Sequence, residues 1–276
     1  MNTASLYDAF ARIYDLQHSA FLDDVPMYLR LARETGPDAA ILEVGCGSGR
    51  VMLPLAEAGF RVVGVDESAE MLRIAERRLR ASRHVPAERW SLVHADAREL
   101  RLNEPVRFDM ALIALNTFLH NLARDDQLAT LRAVRSHLSP GGLLVVDLPP
   151  NDELAYQPDD GVFQLEATLI EPRARSEIRK YVASRVFWST QEQELTYRIE
   201  EQHADGGDDQ HRLLPVAVLL DPVGDDLHGG IAAVHRPDGV VEVVVVEQVE
   251  DHVFLETGAE KAWQAQDDDV RKHGGD

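Results

Sequence analysis

An apolar strand that runs into a glycine-rich turn and then straight into a helix leaves a chain few folds to adopt. Ile41-Leu42-Glu43-Val44-Gly45-Cys46-Gly47-Ser48-Gly49-Arg50 reads as that arrangement. Glycines let the backbone turn sharply with positive φ and leave no side chain to hold a ligand away from the main chain. Free N–H groups at the start of the next helix attract polar or anionic groups. A dinucleotide loop usually reads G-x-G-x-x-G, whereas Gly45, Gly47 and Gly49 occupy every second position with an acid, Glu43, two residues before the first.

The flanking segments repeat a strand-helix rhythm. From Ser5 to about Glu34 the pattern is helical, with Tyr7, Phe10, Ile13 and Tyr14 at three- and four-residue steps, and Gly36-Pro37 ends it. Ala40 to Val44 is a buried strand; a helix carrying Val51, Leu53, Leu55 and Ala56 follows and stops at Gly59, with Pro54 near its first turn. Arg61 to Asp66 is a second strand ending in an acid. A strand-terminal Asp alone is most often a helix cap. At about twenty residues from the glycine loop, Asp66 also stands where a carboxylate accepts from the ribose hydroxyls of an adenosine-containing cofactor. Ser68 caps the next helix, whose apolar face holds Met71 and Leu72.

Trp90 to Ala97 supplies a third strand that again carries an acid, Asp96, near its end, and Phe108 to Leu115 a fourth that leads into Asn116-Thr117-Phe118-Leu119-His120. A helix over about Asp125 to Leu138, the turn Pro140-Gly141-Gly142 and a fifth strand from Leu143 to Leu148 complete the alternation. The expected fold is α/β, a doubly wound, Rossmann-like, mostly parallel sheet with helices on both faces. After Pro149-Pro150 the texture changes: Val162 to Glu171, Ile178 to Ser189 and Gln191 to Gln202 read as antiparallel strands, an extension after the fifth strand.

With 276 residues, 45 % of them hydrophobic, the chain can bury a full core. No run of about 18 apolar residues and no basic flank before an apolar block occurs, so the expectation is no membrane span, no signal peptide and a cytoplasmic location. The single cysteine, Cys46, excludes an internal disulfide and a multi-cysteine zinc site, and the histidines lack metal-ligand spacing, so no metal is expected. The net charge of -20 weighs against nucleic acid as a partner. Roughly six excess acids fall in residues 1–199 and fourteen in 200–276.

The ten-residue loop with its acid, the two strand-terminal acids, the phrase Leu138-Ser139-Pro140-Gly141-Gly142 and the lead-in Tyr7 to Asp15 together resemble the class I S-adenosylmethionine-dependent methyltransferases of the small-molecule type, over about residues 7–198. The resemblance implies S-adenosylmethionine as cofactor and a small-molecule methyl acceptor as partner. It implies that Glu43 orients the loop or receives the cofactor's amino group, and that Gly45, Gly47 and Gly49 hold its amino-acid portion. Asp66 would take the ribose, Asp96 and Ala97 the adenine, Met71 an apolar contact, Tyr14 the sulfonium region from a helical lid, and Asn116 a place beside the reacting methyl. His120 is the nearby side chain whose ordinary pKa suits a general base, and it serves equally well as a residue packed on the following helix.

The expected organisation is a lid over 1–36, a cofactor-binding core over 37–150, an antiparallel extension over 151–203 that covers the acceptor cleft, and an atypical acidic segment over 204–276. For that last segment three readings stand: a divergent closure with a hairpin of Ile231 to His235 and Val240 to Val246, a partly disordered end, or a change of reading frame near 202–220. Without closing strands the fifth strand would present an open edge. The rival functions are a nicotinamide-dependent oxidoreductase and a non-catalytic cofactor-binding module. Neither the acceptor's nucleophile nor the oligomeric state is legible.

Overall fold

The computed structural model describes residues 3–102, 107–148, 160–171, 175–187, 192–203, 210–219, 242–249 and 252–257, with side-chain detail ending at His203. The order is α1 (Thr3–His18), α2 (Val25–Thr35), β1 (Ala40–Val44), α3 (Met52–Glu57), β2 (Arg61–Asp66), α4 (Ala69–Ala81), β3 (Trp90–His94), β4 (Phe108–Ile113), α5 (Arg124–His137) and β5 (Leu138–Leu148). Strands β6 (Gln164–Glu171), β7 (Ser176–Phe187), β8 (Glu192–His203), β9 (Gln210–Leu219), β10 (Glu242–Val249) and β11 (His252–Thr257) follow.

The main sheet runs β11-β10-β5-β4-β1-β2-β3, and every pair from β10 to β3 is parallel. A parallel sheet is covered on both faces, and successive residues of each strand point to opposite sides. Leu42, Ala111 and Leu144 accordingly pack with Phe10 and Ile13 of α1 and Val134 of α5, while Ile41, Leu112 and Val145 pack with Leu31 of α2, Leu55 of α3 and Leu79 of α4. This is the Rossmann-like doubly wound arrangement. The strand order reverses at β1, whose neighbours are β2 and β4. The crevice beyond the strand ends at such a reversal is where open α/β sheets place ligands.

A second sheet, β6-β7-β8-β9, is antiparallel throughout. Its inward residues Ile178 and Ile199 join the same core face as α1.

Several boundaries differ from expectation. The helical lead-in is two helices rather than one, because Asp24 is drawn into a buried pair and Pro26, which has no N–H to give, suits only a helix start. Strand β3 stops at His94, since Asp96 already caps a 3-10 turn over Ala97–Glu99. Strand β5 begins at Leu138 and absorbs Pro140-Gly141-Gly142 as an irregularity in its pairing with β4. A fourth antiparallel strand, β9, lies beyond the expected extension. The expected hairpin's first arm, 231–235, lies outside the described residues. Its second arm overlaps β10, which pairs with β5 and with β11 instead, so β5 does not present an open edge.

Candidate functional site

The three loop glycines share a left-handed backbone for three different reasons. Gly45, Gly47 and Gly49 have φ of 71°, 52° and 75°. A Cβ on Gly45 would lie 2.2 Å from Thr117 Cγ2, and one on Gly49 3.1 Å from Ala75 Cβ, so these two allow the β4 turn and α4 to pack against the loop. A Cβ on Gly47 would meet nothing within 4 Å: this glycine opens onto a cleft. The loop is closed over β2 by Gly45 and Cys46, whose N–H groups both donate to the Val65 carbonyl at 2.8 and 3.0 Å.

Asp66 joins the loop to α4. Its Oδ2 accepts from Gly47 N and its Oδ1 from Ser68 N, both at 2.8 Å. Burial raises its pKa above the usual carboxylate value, against the pull of those two N–H groups. Ser68 Oγ accepts from Met71 N at 3.2 Å as the helix cap and donates to Asp8 Oδ1 at 2.7 Å, which ties α1 to α4. The carboxylate of Asp66 therefore holds the N-cap residue of α4 and is also part of the cleft wall.

The cleft measures about 490 Å³ and brings together Tyr14, Gly45, Gly47, Asp66, Met71, Asp96, Ala97 and His120. Glu43, Gly49 and Asn116 do not line it. Glu43 sits behind the loop, 2 % exposed, with no partner for Oε2, and burial pushes its pKa up to about 8. Asn116 is a left-handed residue (φ 60°) just behind the wall formed by Leu115 and Thr117.

Tyr14 stacks on His18 with ring centroids 4.1 Å apart and meets Tyr7 edge-on at 5.9 Å; burial pushes its phenol up to about 12. His120 lies in the 3-10 turn Thr117–His120, with Nε2 2.9 Å from Tyr7 Oη and the two rings edge-on at 5.4 Å. Burial raises the Tyr7 pKa, so the phenol keeps its proton, and which of Oη and Nε2 donates follows the tautomer of His120. Asp96 accepts from Arg98 N at 2.8 Å and pairs with the Arg98 guanidinium, which holds its carboxyl below the usual range. Arg98 also reaches Asp126 of α5 at 3.2 Å.

Tyr7, Glu67, Arg98, Asp126 and Thr117 are cleft residues that the sequence pattern did not single out as site residues. Most have no local signature, because their place depends on which elements close over the strand ends. Asp147 is different. It stands one residue before the end of β5, much as Asp66 ends β2, and this recurrence of acids near strand ends was visible in the sequence.

Comparison with known proteins follows the same outline. The family described as "Methyltransferase domain" matches residues 41–142. The cypemycin N-terminal methyltransferase of Streptomyces sp is 34 % identical over 149 residues, 53 % of this chain and 58 % of that protein. Trans-aconitate 2-methyltransferase of Azoarcus sp. is 37 % identical over 149 residues, 52 % of this chain and 53 % of that one. The chain thus spans a little over half the length of these curated relatives. The solved structure of CalS10, an amino pentose methyltransferase from Micromonospora echinaspora with SAM bound, is alike in fold, with a TM-score of 0.58 at 21 % identity over 76 % of this chain and 81 % of its own. Residues 41–142 thus match a methyltransferase domain, and the chain as a whole is similar in fold to a solved methyltransferase structure.

Proposed function

We propose that this protein transfers a methyl group from S-adenosylmethionine to a small molecule whose attacking atom is an amine nitrogen. The observation that carries the choice of acceptor is the charge of the cleft. Asp66, Glu67, Asp96 and Asp126 line it, among the described residues, against a single guanidinium, Arg98, which is already paired with two of them. Such a wall favours a cationic sulfonium donor and an ammonium-bearing acceptor over a polycarboxylate.

The residues fit the cofactor. The cleft volume lies in the range of small-molecule sites, roughly 300–1,000 Å³. Gly47 leaves main chain open to an amino-acid arm, and Asp66 retains lone pairs for ribose hydroxyls after accepting its two N–H bonds. Asp96 and Ala97 line the cleft together with Asp66 and suit the adenine, and Met71 adds an apolar contact there. Tyr14 then flanks the sulfonium end, and the Leu115-Asn116 turn stands by the glycine loop at the amino-acid arm. S-adenosylmethionine supplies an already activated methyl group, so the chain's task is alignment and exclusion of water.

The Tyr7–His120 pair supports a positioning and proton-handling role at the acceptor. An amine attacks only when its lone pair is free, and His120 is the imidazole on this wall able to take up its proton near neutral pH. Tyr7 orients that ring through the 2.9 Å hydrogen bond. The antiparallel sheet and α1 form the cover of the acceptor side, and the lid, core and extension remain the proposed division of the chain.

Calorimetry with S-adenosylmethionine and with NAD, followed by transfer of labelled methyl to panels of primary amines and carboxylic acids, tests the reading. Micromolar binding of the methyl donor, no binding of NAD and transfer to amines are expected. Transfer to carboxylates alone would sink the acceptor assignment, and tight NAD binding the whole reading.

A further inference from the structure

Two buried side chains that touch no part of the cleft converge on its most unusual backbone. Leu115 and Asn116 follow β4 in succession with φ of 48° and 60°, a conformation that glycine enters freely and a branched residue such as leucine does not. The next residue, Thr117, is the one that packs against Gly45. The turn therefore forms the wall facing the glycine loop, and its shape decides the width of the cleft at that end.

Asp147, 2 % exposed near the end of β5, accepts at Oδ2 from Leu115 N at 3.1 Å. Its carbonyl accepts from Asn116 N at 3.4 Å. The same Oδ2 accepts from Tyr28 Oη at 2.5 Å, and Tyr28 is wholly buried in α2. Three elements far apart in the chain thus meet on one carboxylate. A left-handed pair persists when its surroundings over-determine it, and here the surroundings are this acceptor and the phenol that orients it.

We infer that Tyr28 and Asp147 are positioning residues which, by holding the Leu115-Asn116 turn, shape the end of the cleft that takes the amino-acid arm of the methyl donor. The assignment rests on the proposed methyl-donor reading for the identity of that arm. Asp147 acts through the backbone it holds and needs no contact with the ligand. Its acceptor oxygen matters more than its charge, since an amide oxygen in the same place can accept the same two bonds.

The test is calorimetry of the wild type, Tyr28→Phe, Asp147→Asn and Asp147→Leu with two probes. One is S-adenosylmethionine; the other is 5′-methylthioadenosine, which keeps the nucleoside and sulfur but lacks the amino-acid arm. Asp147→Leu is expected to weaken S-adenosylmethionine at least tenfold and 5′-methylthioadenosine less than twofold. Tyr28→Phe should give about a threefold selective loss, and Asp147→Asn should stay within twofold of the wild type for both. Equal loss of both probes in step with a fall in Tm, no loss of either, or an Asn variant as weak as the Leu variant would each overturn the inference. If Asp147→Leu does not fold, Tyr28→Phe decides alone: selective loss supports the inference, and equal or absent loss overturns it. A wild type that binds neither probe would instead overturn the methyl-donor reading.

Discussion

The two sides proposed above, one for the cofactor and one for the acceptor, are held by different means. On the cofactor side, the wall from β1 to β4 is built of main chain: glycines in a left-handed turn, N–H groups donating to Val65 and Asp66, and strand ends in parallel register. On the acceptor side, α1 is fixed to the antiparallel sheet by side chains from opposite ends of the described chain. Arg12 pairs with Glu171 and Glu201, Phe10 stacks on Tyr197 with centroids 5.6 Å apart, and the buried Lys180 ammonium lies 4.1 Å from the Tyr197 ring while bonding Gln17 and Glu166. A backbone-built wall tolerates change in surrounding side chains but not in its glycines. A side-chain-built cover loses its contacts one at a time, and is the natural place for specificity to vary.

The joint between the two regions gives the largest expected effect. Arg50, the last residue of the loop motif, makes a bidentate pair with Asp24 at 2.6 Å and donates to the Phe21 carbonyl at 2.7 Å, with both side chains almost wholly buried. Asp24→Ala strands a buried guanidinium and should cost about 3–5 kcal/mol. Chemical denaturation measures this directly. A loss below about 1 kcal/mol, the ordinary worth of an exposed pair, would show that the joint is solvated.

Within the cofactor wall, Gly45→Ala and Gly47→Ala separate packing from ligand space. Gly45→Ala combines a left-handed φ with a 2.2 Å clash against Thr117, each effect about 1–3 kcal/mol, so Tm and cofactor affinity fall together. Gly47→Ala has only the backbone strain, about 1–3 kcal/mol, and should lose cofactor affinity out of proportion to stability. Equal behaviour of the two variants in paired melting and calorimetry would erase the distinction drawn between these glycines.

Glu43 tests the same wall through pH. Its carboxyl keeps the proton in the folded chain up to about 8, against an ordinary 4.5, so between those values the unfolded chain binds fewer protons and stability declines as pH rises. Glu43→Gln removes that slope. Unfolding at pH 5 and pH 8 should show the variant gaining on the wild type at the higher pH by on the order of 1–3 kcal/mol. A wild type whose stability is flat over this window would mean that Glu43 is ionised when folded.

The smallest effect belongs to the cover. Arg12 is 46 % exposed at its side chain, and its buried partner Glu201 keeps Ser176 Oγ as a donor, so Arg12→Ala should cost only about 1 kcal/mol, with the difference shrinking as salt is added. A larger, salt-independent loss would make the cover as rigid as the wall and break the contrast between them.

The cofactor side was legible for a local reason. Strand, glycine turn and strand-terminal acid lie close together in the chain, so Gly47, Asp66, Asp96 and Ala97 could be placed without knowledge of the rest. Asp66 was assigned two competing roles in the sequence; in the structure Ser68 is the cap of α4, while the Asp66 carboxylate accepts from Ser68 N and lines the cleft. The acceptor side was not legible in this way. Tyr7 finds His120 across 113 residues and Arg12 finds Glu201 across 189, and nothing in either segment announces the other. The tail stayed undecided for a related reason. Its change in composition left three readings open, and strand pairing, which depends on backbone complementarity, brings β9 to one sheet and β10 to the other.

By itself, the sequence determined the doubly wound sheet and the glycine loop at its strand ends, because apolar periodicity and glycine placement act over a few residues and dictate local backbone. Only the tertiary structure decided that Gly45 exists for Thr117 and Gly47 for the open cleft, that Asn116 stands behind the wall, and that Tyr28 and Asp147 meet on the left-handed turn. Those facts depend on which distant surfaces close against each other, and that is settled by packing of the whole core rather than by any stretch of it.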